Sequence, residues 1–292
     1  MLKGSYVALI TPFNQDGGVD YDELKTLINF HVDNGTSGIV VVGTTGESAT
    51  LSIYERLEVI RQSVAIANGS IPIYAGTGAN STLEAIDFTK EADKLGVSGC
   101  LSVTPYYNKP SQRGLYLHFE AIANSTKSPQ ILYNVPSRTG VDLLPETVGQ
   151  LSEIDNICAL KDSSSDMARV ALTKKITPSN FSLLSGDDVT AFTFMSKGGD
   201  GVISVTANIV PNIMSSMINS FLNGDISTAL ECDTMLSEIN RAMFLESNPI
   251  PVKWAAHKIG LIKNNVLRLP LTSLDEKYIA CVSNALKVAR CI

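Results

Sequence analysis

The sequence predicts a (β/α)8 barrel with a C-terminal helical extension. Two patterns support this fold class: eight short apolar segments rich in β-branched residues recur along residues 1–224, and stretches with helical periodicity lie between them. Strands that are apolar throughout, rather than alternating, are typical of a parallel sheet that is buried on both faces. Eight such βα units match a closed barrel better than an open, doubly wound sheet, which is the alternative.

The predicted strands alternate with the predicted helices. The strands cover residues 6–11, 38–43, 71–76, 99–104, 130–135, 157–161, 181–184 and 201–205. Three of the helices have a defined start, because a side-chain oxygen precedes a glutamate by three residues, which is the spacing of a capping box. These pairs are Asp20 with Glu23, Ser52 with Glu55 and Ser81 with Glu84.

The pattern changes beyond residue 223, where only helical segments follow. They are predicted at residues 226–244, 252–261 and 275–289, with Pro249, Pro251 and Pro270 as breaks. Proline interrupts a helix because it lacks the backbone N–H. We therefore expect a (β/α)8 barrel over residues 1–224 and a helical extension over residues 225–292.

Composition argues against several classes of function. The five cysteines are scattered, and none of the three histidines forms an H-x-x-x-H pair, so we predict neither a disulfide framework nor a metal site. A net charge of −6 without a basic cluster argues against binding to nucleic acid or to a membrane. No apolar run approaches the ~18 residues of a membrane span, and the start lacks a signal-peptide pattern, so we expect a cytoplasmic protein.

Lys161 is the candidate nucleophile. It follows the apolar run Ile157-Cys-Ala-Leu160, and a lysine with the ordinary pKa of about 10.4 is neutral at pH 7 in only roughly one copy in a few thousand. Burial among apolar neighbours would allow such an amine to attack a carbonyl. The alternative is structural, since most lysines after a hydrophobic strand mark the point where the strand reaches water.

Polar residues are expected together at the carboxyl ends of the barrel strands, where active sites of this fold lie. They are Thr44, Thr45, Tyr106, Tyr107, Tyr133, Arg138, Lys161 and Gly186. No cofactor motif is among them, because the segment 43–48 lacks the Gly-Lys-Ser/Thr ending of a P-loop and the segment 76–78 lacks the third glycine of a dinucleotide fingerprint. We therefore predict no cofactor. The glycines either let backbone N–H groups approach a small carboxylate or only shape tight loops.

Six segments in order along the chain carry a family resemblance. They are Gly43-Thr-Thr-Gly-Glu-Ser48, Ala75-Gly-Thr-Gly-Ala-Asn80, Val103-Thr-Pro-Tyr-Tyr-Asn108, Tyr133-Asn-Val-Pro-Ser-Arg-Thr-Gly140, Leu184-Ser-Gly-Asp-Asp188 and Asn248-Pro-Ile-Pro-Val-Lys253. Together they resemble the dihydrodipicolinate synthase family of pyruvate-dependent class I lyases, almost from end to end. The resemblance implies that Lys161 forms a Schiff base with pyruvate, whose enamine attacks L-aspartate 4-semialdehyde. The product would be a hydroxylated dipicolinate precursor, in the first committed step towards diaminopimelate and lysine.

The resemblance also implies a proton relay. Its members are Tyr133, Thr44 and Tyr107, and they would move the protons that imine formation and cleavage require. Tyr107 is expected to come from a neighbouring subunit. The implied assembly is a homotetramer, built as a dimer of dimers.

Substrate binding is implied for a second set of residues. The backbone N–H groups of Thr44 and Thr45 would hold the carboxylate of pyruvate, and the carbonyl groups of Gly186 and Ile203 would lie near the lysine. Arg138 suits a bidentate grip on the carboxylate of the semialdehyde.

Members of the family that lysine inhibits bind it at a subunit interface. The matching positions with the expected residue type are Ser48, Ala49, Asn80, Glu84 and Tyr106. Ile53 and Arg56 stand where such enzymes often have histidines. Because Arg56 would repel the ε-ammonium group of a bound lysine, we predict that lysine inhibits weakly or not at all.

Two other functions stay open at this stage. A sister aldolase, such as an N-acetylneuraminate lyase or a 2-keto-3-deoxy sugar acid aldolase, would share Lys161 and Tyr133 but would generally lack an arginine at position 138. A barrel that has lost catalysis could serve as a binding or regulatory protein. The joint presence of Lys161, Tyr133, Thr44 and Tyr107 argues against this second alternative.

Overall fold

Eight parallel strands follow the chain in order around one closed barrel in the computed structural model, which describes all 292 residues. They are β1 (Gly4–Ala8), β2 (Gly38–Val41), β3 (Ile73–Gly76), β4 (Gly99–Val103), β5 (Gln130–Asn134), β6 (Ile157–Asp162), β7 (Ser182–Ser185) and β8 (Gly201–Ser204). The predicted number and order of strands and the (β/α)8 class are confirmed. The largest difference is at β1, which ends at Ala8 instead of residue 11. The backbone N–H of Ile10 donates to the side chain of Asn208 instead of to a strand.

Helices follow most of the strands and form the whole of the regular structure after β8. They are α1 (Tyr21–Asp33), α2 (Ile53–Ala67), α3 (Thr82–Lys94), α4 (Gln112–Ala123), α5 (Pro136–Thr139), α6 (Pro145–Leu151), α7 (Ala168–Ile176), α8 (Ala191–Ser196), α9 (Pro211–Leu222), α10 (Ile226–Ala242), α11 (Ile250–Lys258) and α12 (Glu276–Val288). Helices α10 to α12 confirm the predicted C-terminal helical extension. The domain boundary between residues 224 and 225 stays a prediction. None of the helices combines the length and apolar character needed to cross a membrane.

The three predicted helix starts are observed, but only one capping box is complete. Ser52 and Glu55 exchange both hydrogen bonds at the start of α2. At Asp20 and Ser81 the side chain of the first residue accepts the expected backbone N–H, and the glutamate does not return the bond. The carboxylate of Glu23 instead accepts the backbone N–H of Lys263 at 2.6 Å. Glu84 likewise does not complete a capping box with Ser81.

The chain divides into two compact units. We name them the central unit, Met1–Lys3 with Tyr74–Ile203, and the terminal unit, Gly4–Ile73 with Ser204–Ile292.

The central unit is organised around the neighbouring strands β5, β6 and β7. Their parallel register sets Tyr133 opposite Lys161, and Lys161 opposite Leu184. A cluster of buried apolar side chains, which includes Phe119 and Phe181, packs within this unit. Burial of such large apolar side chains is the main stabilising contribution to a fold, and the cluster includes residues of all three strands.

The terminal unit combines β1 and β2 with the C-terminal helices. Val7 lies opposite Ile39 in the parallel pair, and α9 packs against both β1 and α10. The contact faces are apolar, with Met214 and Ile218 of α9 and Leu236 of α10 fully buried. Helix α10 packs in turn against α12.

Candidate active site

Lys161 and Tyr133 form the centre of the candidate site in the central unit. Lys161 lies in β6 and is only 5% exposed, and Tyr133 lies opposite it in β5 and is 8% exposed. The Nζ atom of Lys161 stands 4.3 Å from the centre of the Tyr133 ring. The predicted nucleophile is therefore a buried amine beside a phenol, and not a side chain that marks the emergence of a strand into water.

Gly186 forms a wall of this site, and a larger residue there would have to displace the side chains of Ser163 and Lys161. A Cβ atom at this position would lie 2.9 Å from Cε of Lys161 and would overlap the hydroxyl of Ser163. The backbone N–H of Gly186 donates to the carbonyl of Asp162 at 2.8 Å, which holds the loop after β7 against β6. Ile203 is buried in β8, with β7 lying between it and Lys161. Close approach of backbone to a functional side chain is a common reason for glycine.

Arg138 lies on α5, a short helix that follows β5, and is exposed. Val135 precedes Pro136 and has an extended φ of −147°, as residues before proline prefer. The hydroxyl of Thr139 donates to the carbonyl of Val141 at 2.9 Å, and Gly140 ends the helix with a φ of +70°. The loop that carries Arg138 is therefore a compact, internally bonded structure.

Tyr106 and Tyr107 follow β4 in the central unit, and both are exposed. Tyr107 is 91% exposed and has a φ of +74°, whereas Tyr106 is 42% exposed. Asn80 donates to the carbonyl of Tyr106 at 3.2 Å, so two of the predicted effector residues are in contact. Glu84 is exposed on α3. Within its own central unit, the phenol of Tyr107 faces solvent and does not pack beside Lys161.

Thr44 and Thr45 belong to the loop after β2, in the terminal unit. Thr45 is buried, and its hydroxyl accepts a hydrogen bond from Asn248 at 2.9 Å. Val42 and Glu47 have φ values of +49° and +55°. Such angles are strained for a β-branched residue, and strain of this kind concentrates at functional sites.

The remaining predicted effector residues follow this loop. Ser48 and Ala49 lie in a 3-10 helix, Ser48–Thr50, and Ile53 and Arg56 lie on α2. Ile53 is 47% exposed. In the terminal unit these four residues therefore occupy one continuous stretch directly after the Thr44–Thr45 loop.

A buried ion pair anchors the Thr44–Thr45 loop. Nζ of Lys253 lies 2.6 Å from Oε1 of Glu47, and both side chains have no exposed surface. The same ammonium donates to the carbonyl of Val266 at 2.7 Å and stands 4.0 Å from the ring centre of Phe13. Burial lowers the pKa of Lys253 to about 8, so the group is still mainly charged at pH 7.

Sequence reasoning placed Glu47 and Lys253 in family motifs but gave neither a role. They lie 206 positions apart, and local patterns do not pair residues at such a separation. The one available signal was that two opposite charges occur inside otherwise apolar or glycine-rich motifs, which is unusual unless each has a partner. No group of three or more His, Cys, Asp or Glu residues is arranged to hold a metal ion.

Comparison with known proteins gives a consistent result over the whole chain. Residues 1–289 match the Dihydrodipicolinate synthetase family. Proteins named 4-hydroxy-tetrahydrodipicolinate synthase are similar: the one from Buchnera aphidicola subsp. Schizaphis graminum is 52% identical over 99% of this chain and 98% of its own. The one from Shewanella pealeana is 50% identical over 99% of each chain.

Solved structures are equally similar. The chloride-inhibited dihydrodipicolinate synthase from Acinetobacter baumannii, complexed with pyruvate, has a TM-score of 0.97 and 49% identity, and the match covers 100% of both chains. These matches extend over almost the whole chain, so they include both units and all six motifs. The chain belongs to the dihydrodipicolinate synthetase family.

Proposed function

We propose that this protein condenses pyruvate with L-aspartate 4-semialdehyde to give 4-hydroxy-tetrahydrodipicolinate, through a Schiff base on Lys161. The observation that carries this proposal is the buried amine of Lys161 beside the ring of Tyr133. The names of relatives about 50% identical over the full chain support the same reaction. A solved relative binds pyruvate.

The chemistry needs no electron carrier. The amine of Lys161 adds to the C2 carbonyl of pyruvate, and loss of water gives an iminium ion. This ion is an electron sink, so the methyl group derived from pyruvate can lose a proton, which converts the iminium ion into an enamine. The enamine carbon attacks the aldehyde carbon of the second substrate. Finally the amino group of that substrate attacks C2, closes the ring and releases Lys161.

Proton transfer during these steps is the proposed role of Tyr133, with Thr44 and Tyr107 in the same relay. The register of Tyr133 opposite Lys161 supports the first assignment. The roles of Thr44 and Tyr107 rest on the family resemblance.

Substrate contacts complete the proposal. The backbone N–H groups of Thr44 and Thr45 are assigned to the pyruvate carboxylate, again from the resemblance. The carbonyl groups of Gly186 and Ile203 are assigned to the neighbourhood of the lysine, and Arg138 is assigned to the carboxylate of the semialdehyde. The close approach of Gly186 to Lys161 supports its assignment.

The proposed assembly is a cytoplasmic homotetramer, a dimer of dimers in which Tyr107 acts in the site of its neighbour. Tyr107 supports this proposal, because its side chain is 91% exposed in its own chain and tyrosine is enriched at protein interfaces. The oligomer varies among relatives: one that is 38% identical is described as a monomeric variant.

Mixing two inactive variants tests the role of Tyr107. The Tyr107→Phe and Lys161→Ala variants, each nearly inactive alone, should recover partial activity after reassembly into verified hetero-oligomers, because some sites then receive both wild-type residues. A lack of recovery would place Tyr107 in the site of its own subunit.

Borohydride trapping tests the central proposal. Reduction in the presence of pyruvate should fix a pyruvyl adduct on Lys161, located by peptide mass mapping. Lys253 is the internal control, because it is at least as buried as Lys161 but is already paired with Glu47. An adduct on Lys253, an adduct on an exposed lysine such as Lys109, or no adduct at all would contradict the proposal. A coupled assay with the semialdehyde, run beside one with N-acetylneuraminate, separates this function from that of a sister aldolase.

A further inference from the structure

The loop of residues 135–143, which carries Arg138, is closed at its base by one buried side chain. Asn134, the last residue of β5, has no exposed surface. Its Nδ2 atom donates to Oδ1 of Asp142 at 2.9 Å, and its Oδ1 atom accepts the backbone N–H of Leu143 at 3.0 Å. A single amide therefore joins the residue before the loop to the last two residues of the segment.

Arg169 holds the far end of the same loop from α7. Its Nη1 and Nη2 atoms donate to the two carboxylate oxygens of Asp142, at 2.8 and 2.5 Å. The side chain of Arg169 is 15% exposed. These hydrogen bonds from Arg169 hold the pKa of Asp142 below its usual range. The carboxylate is thus ionised at neutral pH, and a bidentate pair of this kind fixes direction as well as distance.

The network also reaches the strand of the nucleophile. Nδ2 of Asn134 donates to Oδ1 of Asp162 at 3.2 Å, and Asp162 directly follows Lys161. The carboxylate of Asp162 further accepts the backbone N–H and the hydroxyl of Ser164, each at 3.0 Å. The base of the Arg138 loop is therefore bonded to the end of β6 that presents Lys161.

The interior of the loop transmits the position of its ends. The backbone N–H of Gly140 donates to the carbonyl of Pro136 at 2.9 Å, and the hydroxyl of Thr139 donates to that of Val141. A loop bonded in this way moves as one piece, so a shift at Asp142 becomes a shift at Arg138. Displacement of a substrate-binding group by about 1 Å can cost up to roughly a hundredfold in rate, so smaller shifts should have a measurable effect.

We propose that Asn134, Asp142 and Arg169 are positioning residues that hold Arg138 at the distance from Lys161 which the second substrate requires. This inference rests on the proposed role of Arg138 in binding the semialdehyde carboxylate. The three residues contact neither substrate. They fix the geometry between the residue that carries the first substrate and the residue that binds the second.

Steady-state kinetics of Asp142→Asn and Arg169→Met test the inference. Both variants should raise KM for the semialdehyde about tenfold, with KM for pyruvate and borohydride trapping on Lys161 changed less than about twofold. Arg169→Lys keeps the charge but loses the bidentate geometry, so its KM should be intermediate. The matched control is Lys174→Met, which removes a 2.6 Å ion pair to the buried Asp200 in the same unit. This control should leave the semialdehyde KM unchanged.

A double variant separates positioning from a general structural role. If Arg169 acts through Arg138, then Arg138→Ala with Arg169→Met should have the same semialdehyde KM as Arg138→Ala alone. Losses that add, or an equal loss of pyruvate trapping in Asp142→Asn, would overturn the inference. If Arg138→Ala itself leaves the semialdehyde KM unchanged, the proposed function of Arg138 fails. A semialdehyde KM that rises in Arg138→Ala but stays at the wild-type value in Asp142→Asn and Arg169→Met would retain that function and refute positioning.

Discussion

Replacement of Lys253 by methionine removes the buried ammonium group and retains most of the volume of the side chain. The carboxylate of Glu47 then loses its partner at 2.6 Å in a place with no exposed surface. It keeps a hydrogen bond from the backbone N–H of Arg268, at 3.1 Å, and a weaker electrostatic attraction to the guanidinium of the same residue. Loss of one partner of a buried ion pair typically costs about 3 to 5 kcal/mol, because an uncompensated charge is left in the interior. We expect the free energy of unfolding to fall by that amount.

Thermal denaturation at pH 7 measures this effect. At about 2 to 4 °C per kcal/mol for large domains, the melting temperature of Lys253→Met should be roughly 6 to 20 °C below that of the wild type. The matched control is Lys94→Met. Lys94 pairs with Glu91 at the same 2.6 Å, but the two side chains are 68% and 50% exposed. Exposed pairs are worth about 0.2 to 1 kcal/mol, so this control should melt within a few degrees of the wild type.

The double variant Glu47→Gln with Lys253→Met tests the reason for the loss. It removes the orphaned charge as well as its cation, so it should be more stable than the sum of the two single losses predicts. Equal melting temperatures for Lys253→Met and Lys94→Met, or strictly additive losses in the double variant, would refute the reasoning.

Three further predictions follow from the geometry. Gly186→Ala should slow adduct formation on Lys161 at least about tenfold, because its Cβ would lie 2.9 Å from Cε of the lysine and would force that side chain to shift; normal trapping kinetics would contradict this. Burial lowers the pKa of His31 to about 3 and that of His118 to about 4. Since an unfolded histidine has a pKa of about 6.5, the free energy of unfolding should fall as the pH drops below that value, with a slope that approaches about 1.4 kcal/mol per pH unit for each histidine near pH 5. Denaturant titrations at several pH values give the free energy of unfolding at each pH. This free energy should depend less steeply on pH in His31→Gln than in the wild type, and an unchanged pH dependence would be evidence against this origin. Free lysine should inhibit weakly, and more strongly in Arg56→His; strong inhibition of the wild type at sub-millimolar lysine would contradict the charge argument.

Local pattern was sufficient to predict the strands and the place of Lys161 at the end of one of them. The run that ends at Lys161 is apolar and short, as is typical of a parallel strand that is buried on both faces. The observed strand β6 covers Ile157–Asp162. The register that sets Tyr133 opposite Lys161 could not be predicted from local patterns, because strand register depends on packing between segments that are distant in the sequence.

Competition for hydrogen bonds explains where local rules were wrong. The spacing of Asp20 and Glu23 predicts a capping box, but the buried carboxylate of Glu23 bonds to the backbone of Lys263, 240 positions away. A tertiary partner that offers a donor in a desolvated place outweighs an exposed local bond worth about 1 kcal/mol. The partner of Glu47 could not be predicted for the same reason, because Lys253 lies 206 positions away in the sequence.

Two ion pairs hold the two candidate substrate-binding loops: Glu47 with Lys253 at the Thr44–Thr45 loop, and Asp142 with Arg169 at the Arg138 loop. The two pairs differ in burial, so we expect them to differ in what they contribute to stability and to substrate binding. Glu47 and Lys253 have no exposed surface, so loss of either group leaves a desolvated charge, and the stability of the fold should respond first. Asp142 and Arg169 are 37% and 15% exposed, so water can replace part of a lost bond and the cost in stability is moderated. What water cannot replace is the fixed direction of a bidentate pair. Perturbation of the first ion pair should therefore be seen mainly in melting temperature, and perturbation of the second mainly in the KM of the substrate that Arg138 binds.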